Sequence, residues 1–182
     1  MKKIGIVTDS HSSISQEEAK KLGIFVLPMP FYIDGECYYE SVTLSRELFF
    51  EKLTSGADIS TSQPSPTAVM EIWDKALEEY EKILYMPISS GLSSSYNTAM
   101  MLAQEEKYEG RVLVVDDGQV AAPLHQMILD TLDMIEKGYE AEHIRELLEK
   151  AGDRMMIYIA LQTLEFLKKG GRVTPAAAAL GS

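Results

Sequence analysis

The run Leu84-Tyr85-Met86-Pro87-Ile88-Ser89-Ser90-Gly91-Leu92-Ser93-Ser94-Ser95-Tyr96 changes character halfway along. Its first residues are apolar and suit a buried strand. Ser and Gly then take over abruptly, and Ala99, Leu102 and Ala103 follow at the spacing of one helix face. A strand feeding a Ser/Gly turn that opens a helix builds a small anion site. The first helical turn has backbone N–H groups without intrahelical partners, and the helix dipole adds partial positive charge there. Serine hydroxyls donate further hydrogen bonds to the same anion. Gly91 is expected to take a positive φ and let the backbone come close to a ligand. Ser93 also has the chemistry of a plain helix cap, so the run by itself leaves two readings open, a capped helix and a ligand loop.

Outward from this run, strands and helices alternate. Toward the N-terminus, residues 3–7 read as a short buried strand ending in Thr8-Asp9-Ser10. Ser15 with Glu18 fits a capping box for a helix over 16–22 that stops at Gly23, and 24–27 is a second strand. Residues 31–33 and 36–39 flank Asp34-Gly35, a hairpin signal of the type I′ kind. Residues 45–53 read as a helix with Leu48, Phe49 and Leu53 on one side. Ser60-Thr61-Ser62-Gln63-Pro64-Ser65-Pro66 reads as a polar loop ending in a helix start, with Ser65 as cap and Pro66 in the first position. Val69, Trp73, Ala76, Leu77 and Tyr80 continue at helical spacing.

Beyond the Ser/Gly run, 111–115 is another strand. After Asp116-Asp117-Gly118 a helix carries Leu124, Met127, Ile128, Leu132 and Ile135 and ends at Gly138. A further helix over about 140–150 turns Ile144, Leu147 and Leu148 inward and ends at Gly152, and 155–160 reads as a strand. Thr163 caps a short helix closing on Lys168-Lys169-Gly170-Gly171, with positive charge in the last turn as the dipole prefers. Thr174-Pro175-Ala176 looks like one more helix start. This alternation predicts an α/β fold built of βαβ units, with a mostly parallel sheet and helices on both faces. Ligands of such sheets bind outside the carboxyl ends of the strands. Thr8-Asp9-Ser10, Ser89-Ser90-Gly91 and Asp116-Asp117 all fall there.

Composition narrows the function. Of 182 residues, 46% are hydrophobic and 25% charged, ordinary for a chain with a real core. A net charge of −11 disfavours nucleic acid and anionic membrane surfaces as partners. No run is long enough for a membrane span, and the apolar stretch after Lys2 and Lys3 is too short for a signal peptide. The single cysteine, Cys37, suits a reducing compartment, so a cytoplasmic protein with peripheral or no membrane contact is expected. Three histidines and one cysteine, without C-x-x-C or H-E-x-x-H, argue against a metal site. His11 and His143 read as solvated residues, and the ten methionines as core filler.

Nucleotide motifs are missing: there is no G-x-G-x-x-G, and no lysine follows Gly91. Gly91-Leu92-Ser93-Ser94-Ser95 approaches the G-x-S-x-G nucleophile elbow, with Ser95 in place of the second Gly. A small serine hydrolase would take Ser93 as nucleophile, Asp116 as orienter and His125 as base, in the right chain order. Against it, His125 sits one turn into a predicted helix and no Gly-rich oxyanion loop is evident.

Four pieces together resemble the DegV family, the fatty-acid-binding subunits of bacterial fatty acid kinase. They are Ile6-Val7-Thr8-Asp9-Ser10, Thr61-Ser62-Gln63-Pro64-Ser65, Ser89 to Tyr96, and Leu167-Lys168-Lys169-Gly170-Gly171-Arg172-Val173. The resemblance implies an N-terminal α/β domain over residues 1–152 that carries the carboxylate-binding loops, and the start of a second α/β domain over 153–182. It implies one long-chain fatty acid as ligand, no cofactor and no catalytic residue. The carboxylate would be held by Thr61 and Ser93, with Ser62, Gly91, Leu92, Ser94 and Arg172 as secondary candidates. A separate fatty acid kinase would phosphorylate the bound carboxyl. Members of that family are longer, so truncation in the second domain is expected, with apolar surface left near residues 36–39 or the helix of Trp73. A ligand-free structural fragment is the remaining alternative.

Overall fold

The computed structural model describes residues 2–40, 42–160 and 163–174. In chain order the elements are β1 (Lys2–Asp9), α1 (Gln16–Leu22), β2 (Phe25–Leu27), β3 (Pro30–Ile33), β4 (Glu36–Tyr39), α2 (Arg46–Thr54) and β5 (Ile59–Thr61). Then follow α3 (Pro66–Leu77), β6 (Tyr80–Met86), α4 (Ser95–Leu102), β7 (Val112–Val114), α5 (Ala121–Glu136), α6 (Ala141–Gly152) and α7 (Glu165–Lys169). The described residues form two compact units, one drawn from those in 2–29 and 63–155, the other from those in 30–62 and 156–174.

The first unit holds a parallel four-stranded sheet in the order β2-β1-β6-β7. Successive side chains of a strand point to opposite faces, and β6 fills two cores in this way. Leu84 and Met86 join Ile4 and Ile6 under α1, α5 and α6, against Ala19, Leu124, Ile128, Ile144 and Leu148. Ile83 and Tyr85 join Val7 and Val114 under α3 and α4, against Val69, Trp73, Ala76, Ala99 and Leu102. The expected parallel sheet with helices on both faces is therefore present. Trp73 is fully buried and meets Tyr85 and Tyr108 edge-on, each at 5.3 Å between ring centroids. Gly5 is required by packing: a Cβ there would lie 2.6 Å from the ring of Tyr80, whose hydroxyl donates to the Gly23 carbonyl at 3.0 Å.

Local signals set the starts of α1 and α3. The Ser15 hydroxyl accepts from Glu18 N–H at 3.1 Å, and Gly23 ends α1 with φ of 68°. Ser65 caps α3 through Ala68 N–H at 3.1 Å, with Pro66 in the first turn. No helix among the described residues is long and apolar enough to cross a membrane.

The second unit holds an antiparallel sheet in the order β4-β3-β5. Asp34 and Gly35 both have positive φ, 51° and 86°, as a type I′ hairpin requires. Phe31 on β3 packs on Tyr38 at 6.0 Å and on Phe49 of α2 at 5.4 Å. Ser60 and Thr61, expected in a polar loop, belong instead to β5, with Thr61 opposite Phe31 and Ser60 opposite Tyr32. Backbone pairing along β3 makes the strand, and side-chain alternation has no part in it.

Residues 155–160 form no strand. Met156, Tyr158 and Ile159 are exposed, and a β-pattern becomes a strand only where a neighbour accepts its hydrogen bonds. The Thr163 hydroxyl does accept from Glu165 N–H at 3.2 Å, ahead of α7. The expected helix start after Thr174 lies outside the described residues from Pro175 on.

Candidate functional site

Three strand ends of the first unit converge through hydrogen bonds. At the end of β1, the Thr8 hydroxyl donates to the Met86 carbonyl at 2.7 Å. Asp9, fully buried, accepts from Ile88 N–H at 2.8 Å with one carboxylate oxygen and from His11 N–H at 2.9 Å with the other. At the end of β7, Asp116 accepts from Ser90 N–H at 3.2 Å and from Gly118 N–H at 3.3 Å. The Gln119 carbonyl accepts from Ser89 N–H at 3.0 Å. The loop after β6 is thus braced on both sides, by Asp9 from β1 and by Asp116 and Gln119 from the β7 turn.

Within the loop, the Ser89 hydroxyl accepts from Gly91 N–H at 3.2 Å, and its carbonyl from Leu92 and Ser93 N–H at 3.0 and 3.2 Å. The Ser93 hydroxyl accepts from Ser95 N–H, the first residue of α4, at 3.2 Å. Ser94, at the cap position itself, makes no side-chain cap bond. Ser93 therefore does the work of a cap, and its O–H keeps a proton to donate. It is half-buried at the open end of a helix, where the dipole favours an anion. The expected positive φ at Gly91 is not found, because Gly91 lies outside the left-handed region. A Cβ there would meet only the Ser89 hydroxyl, at 3.5 Å.

The other anticipated residues lie in the second unit. Thr61 ends β5 and is exposed; Ser62 N–H donates to the Pro30 carbonyl at 3.4 Å. Arg172 follows α7, and its guanidinium donates to the Gly170 carbonyl at 2.7 Å. The structure brings Gly91, Leu92, Ser93 and Ser94 into one turn of the first unit, whereas Thr61, Ser62 and Arg172 belong to the second. Inside the first unit, the T-S-Q-P-S run does meet α4, the helix that the Ser/Gly run opens. Thr98, on the first turns of α4, donates to the Gln63 side-chain oxygen at 3.2 Å.

The three residues considered for a hydrolase are each engaged elsewhere. His125 Nε2 lies 3.2 Å from Glu18, Asp116 receives the two N–H groups just described, and Ser93 receives that of Ser95. None of these contacts joins one member to another. Among the described residues, no group of three or more His, Cys, Asp or Glu is placed to hold a metal ion.

Sequence reasoning singled out neither Asp9 nor Gln119 as the braces of the loop. The available signal was an Asp or a Gln at the carboxyl end of a predicted strand. Burial pushes the Asp117 carboxyl up to about 6, helped by the charges of Asp116 and Asp9 and opposed by the Gln119 N–H. Burial likewise raises Tyr96, with Asp116 and Glu149 adding to it. Tyr85 is raised by burial and then by Asp9.

Comparison with known proteins places this geometry in a family. A DegV domain-containing protein of Deinococcus radiodurans is 34% identical over 179 residues, covering 98% of this chain and 63% of its own length. A solved structure described as fatty acid binding of a DegV family protein from Thermus thermophilus superposes with a TM-score of 0.87 at 34% identity, covering 99% of this chain and 64% of that one. A stearic acid-binding protein from Eubacterium ventriosum superposes with a TM-score of 0.81 at 26% identity, covering all of this chain and 64% of that one. The chain thus spans just under two thirds of the length of these relatives. The family model described as uncharacterised protein, DegV family, matches residues 3–182, and with the braced Ser/Gly loop of β6 and the T-S-Q-P-S and G-G-R runs in their order, the chain belongs to the DegV family.

Proposed function

We propose that this chain binds a long-chain fatty acid through its carboxylate and serves as a carrier without a catalytic residue of its own. The observation that carries the reading is the 34% identity, across 99% of the chain, to a Thermus thermophilus structure described by its fatty acid binding. On this reading Ser93 donates its O–H to the carboxylate and Thr61 supplies a second hydroxyl. Ser62, Gly91, Leu92, Ser94 and Arg172 are the secondary candidates. Residues 1–152 form the part that carries the loops, and 153–182 begin a second domain. A separate fatty acid kinase phosphorylates the presented carboxyl in the bacterial cytoplasm.

The chemistry of the loop suits this ligand. A fatty acid carboxylate is ionised at neutral pH and is held by hydroxyls and helix-terminal N–H groups without a lysine. A tail of about fourteen CH₂ groups at about 0.8 kcal/mol each contributes roughly 11 kcal/mol before ordering costs. The tail then supplies affinity, and the polar loop supplies orientation.

The test is a fluorescent fatty acid titration beside an ester-hydrolysis assay on the same variants. Ser93→Ala removes one charge-assisted hydrogen bond of about 1.5–3 kcal/mol, so Kd should rise about ten- to a hundredfold. Thr61→Ala should behave similarly, and His125→Ala should leave binding unchanged. Ester turnover that needs both Ser93 and His125 would overturn the carrier reading.

A further inference from the structure

Asp117 stands in the turn between β7 and α5, and the carboxylate loop has no direct use for it. Asp117 and Gln119 are each 1% exposed. Gln119 donates twice to Asp117, by its main-chain N–H to Oδ1 and by its side-chain Nε2 to the main-chain carbonyl, both at 2.9 Å. Among the described residues, two buried acceptors are then left without a hydrogen-bond partner, Asp117 Oδ2 and Gln119 Oε1. Buried acceptors normally have donors. A proton on Asp117 Oδ2 turns one of the two into a donor.

The surroundings favour that proton. The carboxyls acting on Asp117 are Asp116 in its own turn and Asp9 on β1. His11 sits beside Asp9, with Nδ1 at 3.3 Å from Oδ1. Tyr85 on β6 faces Asp9 as a buried phenol. On α6, Glu149 lies near Asp116 and pairs with Arg145 at 4.0 Å, and Tyr96 on α4 also lies near Asp116. The Asp117 main chain is packed directly on Gly152 of α6, where a Cβ would come 2.2 Å from the Asp117 carbonyl oxygen. The turn also runs directly into Ala121, a non-glycine residue at φ of 54°.

The same groups that meet Asp117 also hold the loop. Asp9 accepts from Ile88 N–H, and the Gln119 carbonyl accepts from Ser89 N–H. We propose that Asp117 is a proton-operated latch on the loop that begins at Ser89. With its proton, Asp117 lets Asp9 and Gln119 keep Ile88 and Ser89 in place. When the O–H bond breaks and the proton passes to water, the new carboxylate repels Asp9 and Asp116 inside the fold, and the Ser89–Gln119 tie loosens. Burial sets the transition at about pH 6.

The proposal concerns the ligand-free chain and stands apart from the fatty acid reading. Its test is NMR of the full chain across a pH range of about 4 to 8. We expect the Asp117 carboxyl carbon and the Ile88 and Ser89 amides to shift with one common midpoint near pH 6. Above it, the amide protection factors of both residues should fall about tenfold. Asp117→Asn, which keeps an acceptor and adds a donor, should abolish the amide transition. His11→Asn should preserve it, which matters because histidines titrate in the same region. A transition that survives Asp117→Asn or vanishes in His11→Asn overturns the proposal. So does an Asp117 carboxyl titrating near pH 4 in the unmodified chain, the ordinary aspartate range, and this last reading needs no variant to fold.

Discussion

Replacing Asp117 by Asn should stabilise the protein, and by an amount that grows with pH. An aspartate in an unfolded chain titrates at the ordinary 3.8, whereas burial holds the folded group at about 6. Between those values the folded state binds more protons than the unfolded one, so stability falls as pH rises. The favourable contribution of the protonated group is complete below the unfolded value and is lost as pH climbs through the folded one. At about 1.4 kcal/mol for each tenfold difference in proton affinity between the two states, the full penalty at neutral pH is roughly 3 kcal/mol, and at about pH 4.5 it is roughly 1 kcal/mol. Asn carries no such penalty. Its carboxamide oxygen still accepts the Gln119 N–H, and its NH₂ sits where the orphaned Oδ2 was. Urea denaturation of both proteins at about pH 4.5 and about pH 7.5 isolates the effect, because the other carboxyls are common to both. The advantage of Asn should widen by roughly 2 kcal/mol between the two conditions. An advantage that is constant, or that shrinks with rising pH, refutes a buried, proton-bearing Asp117.

Two glycines should respond differently to alanine. Gly5→Ala forces a Cβ to 2.6 Å from a Tyr80 ring anchored by its hydroxyl, and overpacking of about 1–3 kcal/mol should appear in a denaturation curve. Gly91→Ala meets only a hydroxyl at 3.5 Å, with no left-handed backbone to strain, and should change stability by less than about 0.5 kcal/mol. Trp73→Ala empties the space between Tyr85 and Tyr108 and should cost about 3–5 kcal/mol in the same assay.

The parallel sheet was legible because each of its main strands announces itself twice. Residues such as Ile83 to Met86 form an unbroken apolar run, as a strand buried on both faces must, and each run ends in Asp, Ser or Gly. Helix starts at Ser15 and Ser65 were legible because capping is a local affair, settled within three residues. Where pairing decides, the sequence misled. Ile59-Ser60-Thr61 shows no strand pattern yet pairs with β3, while residues 155–160 show one and pair with nothing among the described residues. The site divides the same way. The Ser/Gly loop could be read from its own residues. Its braces could not, because Asp9 meets Ile88 across 79 positions of chain and Ser90 meets Asp116 across 26. A bond between residues so far apart leaves no periodicity to find.

The double bracing of the loop after β6 also bears on how fast and at what entropic cost it is used. Flexible binding loops surrender conformational freedom when a partner arrives, and that loss subtracts from affinity. Here Ile88, Ser89 and Ser90 are each tied by a backbone N–H to a different side chain or carbonyl. The Ser93 hydroxyl is already aligned by Ser95. On the proposed reading, and while Asp117 keeps its proton, an anion docking at Ser93 meets a hydroxyl that is ordered beforehand, so the freedom given up on docking belongs to the incoming molecule and not to the loop.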